Sequence, residues 1–290
     1  MAFSSQDVMT LRQITGVGMM DCKKALIATD GDMDKAVDFL REKGMATAAK
    51  KAGRIASEGI VYVTVAGNCG VIVEVNCESD FVAKSEGFQA YAQEVATYIA
   101  ENDVKSVEEL IETMTARTNE AISRIGEKIV IRRFEKINSD GKIDSYIHMG
   151  GKIGVLVEAS AGTTDEIIHD IALQIAAAKP AYISKEDVPQ SDIDKEKEIL
   201  KAQALNEENP KPIAIIEKMT EGRIKKFYKE ICLLEQDFVK NSDFTISKYL
   251  HDNGNAVISK FIRYEMGEGL QKKENNFAQE IMDQVAAMNK

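Results

Sequence analysis

One apolar, β-branched segment occurs twice in the chain. Residues 70–75 read GVIVEV, and residues 154–159 read GVLVEA. Each copy follows a short extended run and a glycine-containing turn, and each precedes a helical pattern. The extended runs are residues 60–65 and 144–148, and the helical patterns are residues 94–100 and 170–176. This recurrence predicts an α+β fold with two related halves, each a small antiparallel sheet with helices on one face.

The repeat extends to a third strand in each half. The residues RFE at 133–135 correspond to RYE at 263–265. Each triplet ends a strand-like run, residues 129–133 in the first half and residues 256–262 in the second. We therefore place a first core subdomain at residues 55–140 and a second at residues 141–274.

The two copies differ between strand and helix. The strand segments lie 84 residues apart but the helical segments only 76, so the first copy holds about eight additional residues, CESDFVAK at 77–84. Asp80 is predicted to be the N-cap of the helix that follows, because aspartate at a helix start accepts backbone N–H bonds. Two interpretations remain. In the first, Asp80 only caps the helix and Phe81 only packs in the core. In the second, a rigid corner presents both side chains to a partner.

Residues 5–50 have the pattern of three short helices. The breaks fall at residues 16–18 and 29–31, and the third helix is predicted to begin after an Asp32 cap and to end before Gly44. Residues 46–54 are rich in Ala and Lys and suit a helical linker. So small a bundle has a thin core and is usually a docking module, which we assign to residues 1–54.

Two further helical segments lie outside this plan. Residues 192–228 are rich in charge and carry apolar stripes on both sides of a turn at 209–212, which predicts a helical hairpin inserted at about residues 190–228. This hairpin could pair with a second copy of the chain or project freely. Residues 275–290 have apolar side chains at helical spacing and are predicted to form an amphipathic C-terminal helix.

Composition narrows the classes of ligand. A net charge of −10 disfavours direct binding to nucleic acid. Four widely spaced cysteines and three scattered histidines predict reduced thiols and no metal site. The longest apolar stretches are shorter than the roughly 20 residues of a membrane helix, and the N-terminal residues lack a leader pattern. We expect a cytoplasmic protein with no cofactor and no membrane association.

The sequence gives no positive case for an enzyme. Residues 16–18 resemble a phosphate loop only superficially, since no strand precedes them, and no nucleophile elbow or acid pair is apparent. His148 ends a strand-like run and is either a structural residue or part of a contact surface. Met19 and Met20 begin a helix and suit either a core or an adaptable docking surface.

Five segments follow one another in an order that carries a resemblance. They are TGVGMMDCKKAL at 15–26, NCESDFVA at 76–83, IHMGGKIGVL at 147–156, LLEQ at 233–236 and RYEMGEG at 263–269. Together these segments resemble the elongation factor Ts family, the guanine-nucleotide exchange factors of elongation factor Tu in bacterial-type translation.

The resemblance implies an architecture and a partner. It implies a UBA-like three-helix domain, a two-part core, an inserted antiparallel coiled-coil hairpin and a C-terminal helical module. It also implies that the chain binds elongation factor Tu with GDP and promotes GDP release by disturbing the Mg²⁺ and phosphate site, without a catalytic residue of its own.

The resemblance further implies roles for individual residues. The residues that it places against the GTPase near its magnesium are Asp80, Phe81, Val82 and Ala83. The residues that it places in other contacts with the partner are Met19, Met20, Lys23, Ile125, Gly126, His148 and Val239. The alternative function is a non-catalytic adaptor or chaperone-like scaffold, which would bind a cytosolic partner stably without accelerating nucleotide exchange.

Overall fold

The computed structural model describes residues 3–206 and 212–271. Its N-terminal part is a bundle of three helices, α1 (Ser5–Thr15), α2 (Met19–Ala28) and α3 (Met33–Lys51). Ser4 and Asp32 cap α1 and α3 by accepting backbone N–H bonds from the first turn. Buried side chains from all three helices form one small core. The three predicted helices and the Asp32 cap are confirmed.

Helix α3 is longer than predicted. It continues through Gly44 and through most of the predicted linker, to Lys51. Gly44 is buried against helix α6 (Val107–Ile125), where a Cβ would lie 3.4 Å from the Asn119 carbonyl oxygen. The glycine permits close helix packing at this position, and the prediction that it ends the helix was wrong.

The first half of the core is a three-stranded antiparallel sheet with two long helices. Its elements are β1 (Glu58–Ala66), β2 (Cys69–Cys77), α4 (Asp80–Ala83), α5 (Glu86–Glu101), α6 and β3 (Val130–Asn138). The strand order is β1-β2-β3. Strand β3 continues past Arg133, where the prediction ended it, because the residues that follow pair with β2 as far as Asn138 opposite Cys69.

The second half repeats this arrangement. The hairpin of β4 (Lys142–His148) and β5 (Ile153–Ala159) is followed by α7 (Asp165–Ala178) and, much later, by β8 (Ile258–Glu265). The strand order is β4-β5-β8, again antiparallel. The predicted pair of small antiparallel sheets, each with helices on one face, is therefore confirmed.

An insertion separates α7 from β8. It contains α8 (Gln190–Leu205), α9 (Ile213–Ile231), a two-stranded sheet of β6 (Asp237–Phe238) and β7 (Asn241–Thr245), and α10 (Ile246–Asp252). Helices α8 and α9 contact each other. Most of the predicted turn at 209–212 and the whole predicted C-terminal helix at 275–290 lie outside the described residues.

The repeated segment has two faces because side chains alternate along a strand. In the first copy Val71, Val73 and Val75 lie in the core beneath the helices, whereas Ile72 points to the opposite face. The second copy has the same division, with Leu156 in the position of Ile72. Ile72 and Leu156 belong to one buried cluster, so the two sheets pack against each other face to face.

The first glycine of each copy marks the closest approach of the sheets. A Cβ at Gly70 would lie 2.7 Å from a methyl carbon of Leu156, and a Cβ at Gly154 would lie 2.4 Å from a methyl carbon of Val61. The backbone N–H of Val61 also donates to the Gly151 carbonyl at 2.8 Å. The turn between β4 and β5 is thereby fixed against the first half.

Among the described residues, no helix is long and apolar enough to cross a membrane.

Candidate functional site

Residues 77–84, hereafter the corner, connect strand β2 to helix α5. The corner contains the one-turn helix α4, whose N-cap is Ser79. The Ser79 hydroxyl accepts the Val82 N–H at 3.4 Å, and Asp80 is the first residue inside the helix. The prediction that Asp80 is the N-cap was wrong by one residue. In the second half, residues 160–164 form a turn at this position and no helix.

Helix α4 is anchored on one side only. Ala83 is buried and Val82 packs partly against the core of the first half. Phe81 is 83% exposed, the largest exposed fraction of any large apolar side chain in the described residues. The interpretation that Phe81 packs in the core is therefore wrong, and its phenyl ring is free to contact another molecule.

Asp80 also faces solvent. Its carboxylate pairs with Lys84, one helical turn away, at 2.8 Å. The hydrogen bond from Lys84 lowers the pKa of Asp80 below its ordinary value, and the positive charge of Lys152 acts in the same direction. Lys152 lies in the turn just before β5 and pairs with Glu58 at 2.7 Å. The corner therefore presents an ionised carboxylate beside an exposed aromatic ring.

A carboxylate from a distant part of the chain holds the corner in place. Glu127 Oε2 accepts the backbone N–H groups of Glu78 and Ser79, each at 3.0 Å, and its Oε1 accepts the Ser79 hydroxyl at 2.6 Å. In return the Glu78 carboxylate accepts the Lys128 N–H at 2.7 Å. No sequence pattern marks Glu127 as functional, apart from its position next to Ile125 and Gly126.

A cysteine thiol lies beneath the corner. Cys77 is fully buried, and its thiol donates to the Ser79 carbonyl at 3.2 Å. Burial raises the pKa of Cys77 to about 12, and the nearby negative charge of Glu127 acts in the same direction. The thiol stays protonated at neutral pH and serves as a small packing group under Ser79.

Ile125 and Gly126 lie close to the corner. Ile125 is the last residue of α6 and packs partly against the core of the first half. Gly126 is the C-cap in the left-handed conformation, with φ 88°, which favours glycine. The Gly126 carbonyl accepts a hydrogen bond from Lys51 Nζ at 2.5 Å. The end of α6, the end of α3 and the corner are thus connected.

The N-terminal bundle carries its own exposed apolar surface. Met19 and Met20 begin α2 and are exposed, Met20 by 64%, and Lys23 on the same helix is also exposed. Ile27 extends this surface by a further turn. The interpretation of Met19 and Met20 as core residues is therefore wrong.

His148 ends β4 and is exposed at the turn that leads into β5. Its Nδ1 atom lies 3.1 Å from the Tyr146 hydroxyl. The next residue, Met149, is 72% exposed. Lys152 in the same turn pairs with Glu58, and Glu58 lies opposite Cys77 in the β1–β2 ladder, so this turn and the corner belong to one side of the molecule.

Val239 lies in the turn between β6 and β7, in the second half. Its side chain is exposed, and its backbone N–H donates to the buried Gln174 amide oxygen at 2.8 Å. Its neighbour Lys240 pairs with the buried carboxylate of Asp170. The turn is thus anchored from below while Val239 faces outward.

Among the described residues, no cluster of His, Cys, Asp or Glu could hold a metal ion.

Comparison with known families places this protein in the class of translation elongation factors. Residues 78–268 match the family described as elongation factor TS, which covers about two thirds of the chain. The chain therefore belongs to the elongation factor Ts family. Proteins of this family are guanine-nucleotide exchange factors, and the family implies elongation factor Tu as partner. The matched region begins within the corner, at Glu78.

Proposed function

We propose that this protein binds elongation factor Tu in its GDP form and accelerates the release of GDP, so that GTP can bind. The observation that carries the proposal is Phe81, a large apolar ring left 83% exposed on a corner that is otherwise tightly held. An exposed aromatic residue on a rigid support is an efficient anchor at a protein interface, because little conformational entropy is lost when it binds.

The proposed mechanism needs no catalytic group. GTPases hold the nucleotide by its phosphates through backbone N–H groups and Mg²⁺, which are strong, charge-assisted contacts. Phe81 would enter the partner beside this site, and the Asp80 carboxylate would disturb the magnesium and its ligands. Val82 and Ala83 would support the ring from the core side. Several contacts to GDP would then weaken together.

Other surfaces would supply affinity. We assign residues 1–54, as a UBA-like domain, to docking on the GTPase domain through Met19, Met20 and Lys23. Ile125 and Gly126 would add contacts beside the corner. Further contacts would come from His148 in the first turn of the second subdomain and from Val239 in the second half.

The remaining parts would have supporting roles. We propose core subdomains at residues 55–140 and 141–274, with a coiled-coil insertion at about 190–228 and a C-terminal module at 275–290. The coiled-coil insertion is also the candidate for self-association. A cytoplasmic location follows from the proposed role in translation, and no direct contact with nucleic acid is proposed.

Thermodynamic linkage supports reversible action. A factor that weakens GDP binding must bind the GDP form of its partner less tightly by the same factor. Rebinding of a nucleotide would therefore release the exchange factor. An exchange factor is therefore released when nucleotide rebinds, whereas the alternative, an adaptor or chaperone-like scaffold, would stay bound.

The test is release of a fluorescent GDP analogue from elongation factor Tu in a stopped-flow instrument. Phe81→Ala should slow factor-dependent release at least about tenfold, because the variant lacks the anchor. Its melting temperature should change little, since the ring has few contacts within the protein.

Val257→Ala is the matched control. Val257 is also an exposed apolar residue, but it lies beside Ile258, at the opposite end of the second sheet from the turn that faces the corner. This variant should exchange GDP like the wild type. Release by Phe81→Ala at the wild-type rate would refute the mechanism, and stable binding by the wild type without faster release would favour the adaptor.

A further inference from the structure

We propose that Glu127 is the positioning residue of the corner, acting on nucleotide exchange through Phe81. Its carboxylate fixes the start of α4 and so determines where the phenyl ring stands. This inference rests on the proposed function and adds to it a residue whose side chain turns inward, toward the corner's own backbone.

The contacts of Glu127 lie at the start of α4. The carboxylate accepts three hydrogen bonds, from the Glu78 and Ser79 backbone N–H groups and from the Ser79 hydroxyl. Hydrogen bonds to an ionised acceptor are stronger than bonds between neutral groups. The same Ser79 hydroxyl accepts the Val82 N–H. Glu127 therefore orients the residue that caps α4.

Helix α4 cannot hold its own orientation. It has only four residues, far fewer than an isolated helix needs to be stable in water. Ala83 and Val82 attach it to the core, but Phe81 is exposed and gains little from its own packing. The direction of the ring therefore depends on the backbone at Ser79, where Glu127 binds.

The loop that carries Glu127 is itself fixed on both sides. Lys51 Nζ donates to the Gly126 carbonyl at 2.5 Å. Lys128 Nζ donates to the Ala52 and Arg54 carbonyls at 2.6 Å and 2.9 Å. These bonds tie residues 126–128 to the end of α3, so Glu127 reaches the corner from a rigid base that also supports the N-terminal bundle.

Two variants separate the geometry of Glu127 from its charge. Glu127→Ala removes all three accepted bonds. In Glu127→Gln, the amide oxygen can still accept the two backbone N–H groups, and the amide nitrogen can donate to the Ser79 hydroxyl oxygen. The matched control is Glu109→Ala, because Glu109 accepts the Lys105 N–H at 3.0 Å in the first turn of α6, at the opposite end of the helix that precedes Glu127.

Nucleotide exchange is measured first, as the maximal GDP-release rate at saturating factor and the factor concentration that gives half of it. Glu127→Ala should lower the maximal rate about tenfold, since small errors in placement strongly reduce such an effect. The half-saturating concentration should change less than about twofold, because the other docking surfaces are intact. Glu127→Gln should recover most of the rate, and Glu109→Ala should match the wild type.

The double variant tests whether Glu127 acts through the ring. In a Phe81→Ala background, Glu127→Ala should cause no further loss of rate, because no ring remains to be positioned. An equal loss in both backgrounds would overturn the inference, as would an unchanged rate for Glu127→Ala. If Phe81→Ala alone leaves release unchanged, the proposed function fails instead.

A measurement on the free protein tests the positioning directly. The chain has no tryptophan, so Phe81→Trp introduces a single indole at the exposed position. Fluorescence anisotropy decay should show faster local motion of this indole when Glu127→Ala is added, and near-original motion with Glu127→Gln. Equal local motion in all three proteins would overturn the inference regardless of any effect on exchange.

Discussion

The contact between the two sheets makes a specific prediction about Gly154. Its backbone φ lies outside the left-handed region, so alanine is conformationally acceptable there. The obstacle is space, because the added Cβ would lie 2.4 Å from Val61 Cγ1 and 2.9 Å from Val63 Cγ2. Both neighbours are β-branched and restricted at χ1, so they cannot turn away easily.

The expected magnitude follows from these distances. Ordinary carbon contacts are about 3.5–4.0 Å, so the facing strands must separate by roughly 1 Å or strain two valines. Overpacking of this kind costs about 1–3 kcal/mol, and the rigidity of both neighbours places Gly154→Ala at the upper end, at about 3 kcal/mol. At Gly70 the added Cβ would meet Leu156 Cδ1 at 2.7 Å, at the end of a more flexible side chain, and Ile143 Cγ2 at 2.9 Å. Only one of these two neighbours is β-branched, and the closest contact is with the flexible one. Gly70→Ala should therefore cost only about 1 kcal/mol.

The assay is urea unfolding followed by far-ultraviolet circular dichroism, with a thermal scan of each variant. Gly154→Ala should lower the melting temperature by roughly 6–10 °C and Gly70→Ala by roughly 2–4 °C. Gly87→Ala is the control, because Gly87 lies in α5 with no atom within 4 Å of the added Cβ. That variant should be neutral or more stable by up to about 1 kcal/mol.

Two results would contradict this reasoning. A Gly154→Ala protein as stable as the wild type would show that the sheets do not approach closely at β5. A larger loss for Gly70→Ala than for Gly154→Ala would show that the flexibility of the facing side chain does not determine the cost.

Two further predictions concern docking and pH. Met20→Asp should raise the factor concentration that gives half-maximal GDP release by about tenfold but leave the maximal rate nearly unchanged, since this surface supplies affinity. A titration of the release rate against factor concentration measures both quantities. A loss of maximal rate alone would contradict this prediction. Burial raises the pKa values of Cys77, Tyr91 and Tyr264, each to about 12. The stability that these protonated groups contribute is complete below their unfolded pKa values of about 9–10 and is lost as the pH rises toward 12. Urea midpoints should therefore fall over that range. Midpoints that stay constant from about pH 9 to 11.5 would contradict this prediction.

The sequence predicted the two sheets because one alternating apolar segment occurs in both halves. In residues 70–75 the valines alternate with other residues, and the same order returns 84 residues later. Ile72 is also apolar, which is typical of a strand covered on both faces. The prediction placed helices on one face and left the second face unassigned. That face is covered by the other sheet, a contact between distant segments that no local pattern specifies.

The errors at helix ends have local causes. Ser79 and Asp80 are adjacent and both are favoured N-cap residues, so the sequence alone does not decide between them. Gly44 looks like a helix stop, but the same residue type also permits close packing, and here it lies against the Asn119 backbone. In both cases the neighbouring structure decides between two roles that one residue type can play.

The corner shows most clearly what a sequence leaves out. Residues 77–84 stand out because they are additional to the repeat, so the exposed Phe81 could be found by comparing the halves. Glu127, which holds them, lies 48 residues from Ser79 along the chain and has no periodic pattern of its own. The fold brings it there because α6 runs back along the sheet and ends beside the end of β2, where β3 begins.

This arrangement connects the fold to the proposed exchange activity. The sheets fix the turn containing Lys152 on one side of the corner, and residues 126–128 fix the other side and also hold the end of α3. A partner that binds α2 therefore meets Phe81 at a position determined by covalent and hydrogen-bonded connections. The affinity for the partner that the N-terminal bundle supplies and the displacement of GDP by the Phe81 ring can then be altered separately. The variants Met20→Asp and Glu127→Ala should accordingly affect different kinetic parameters of the same reaction.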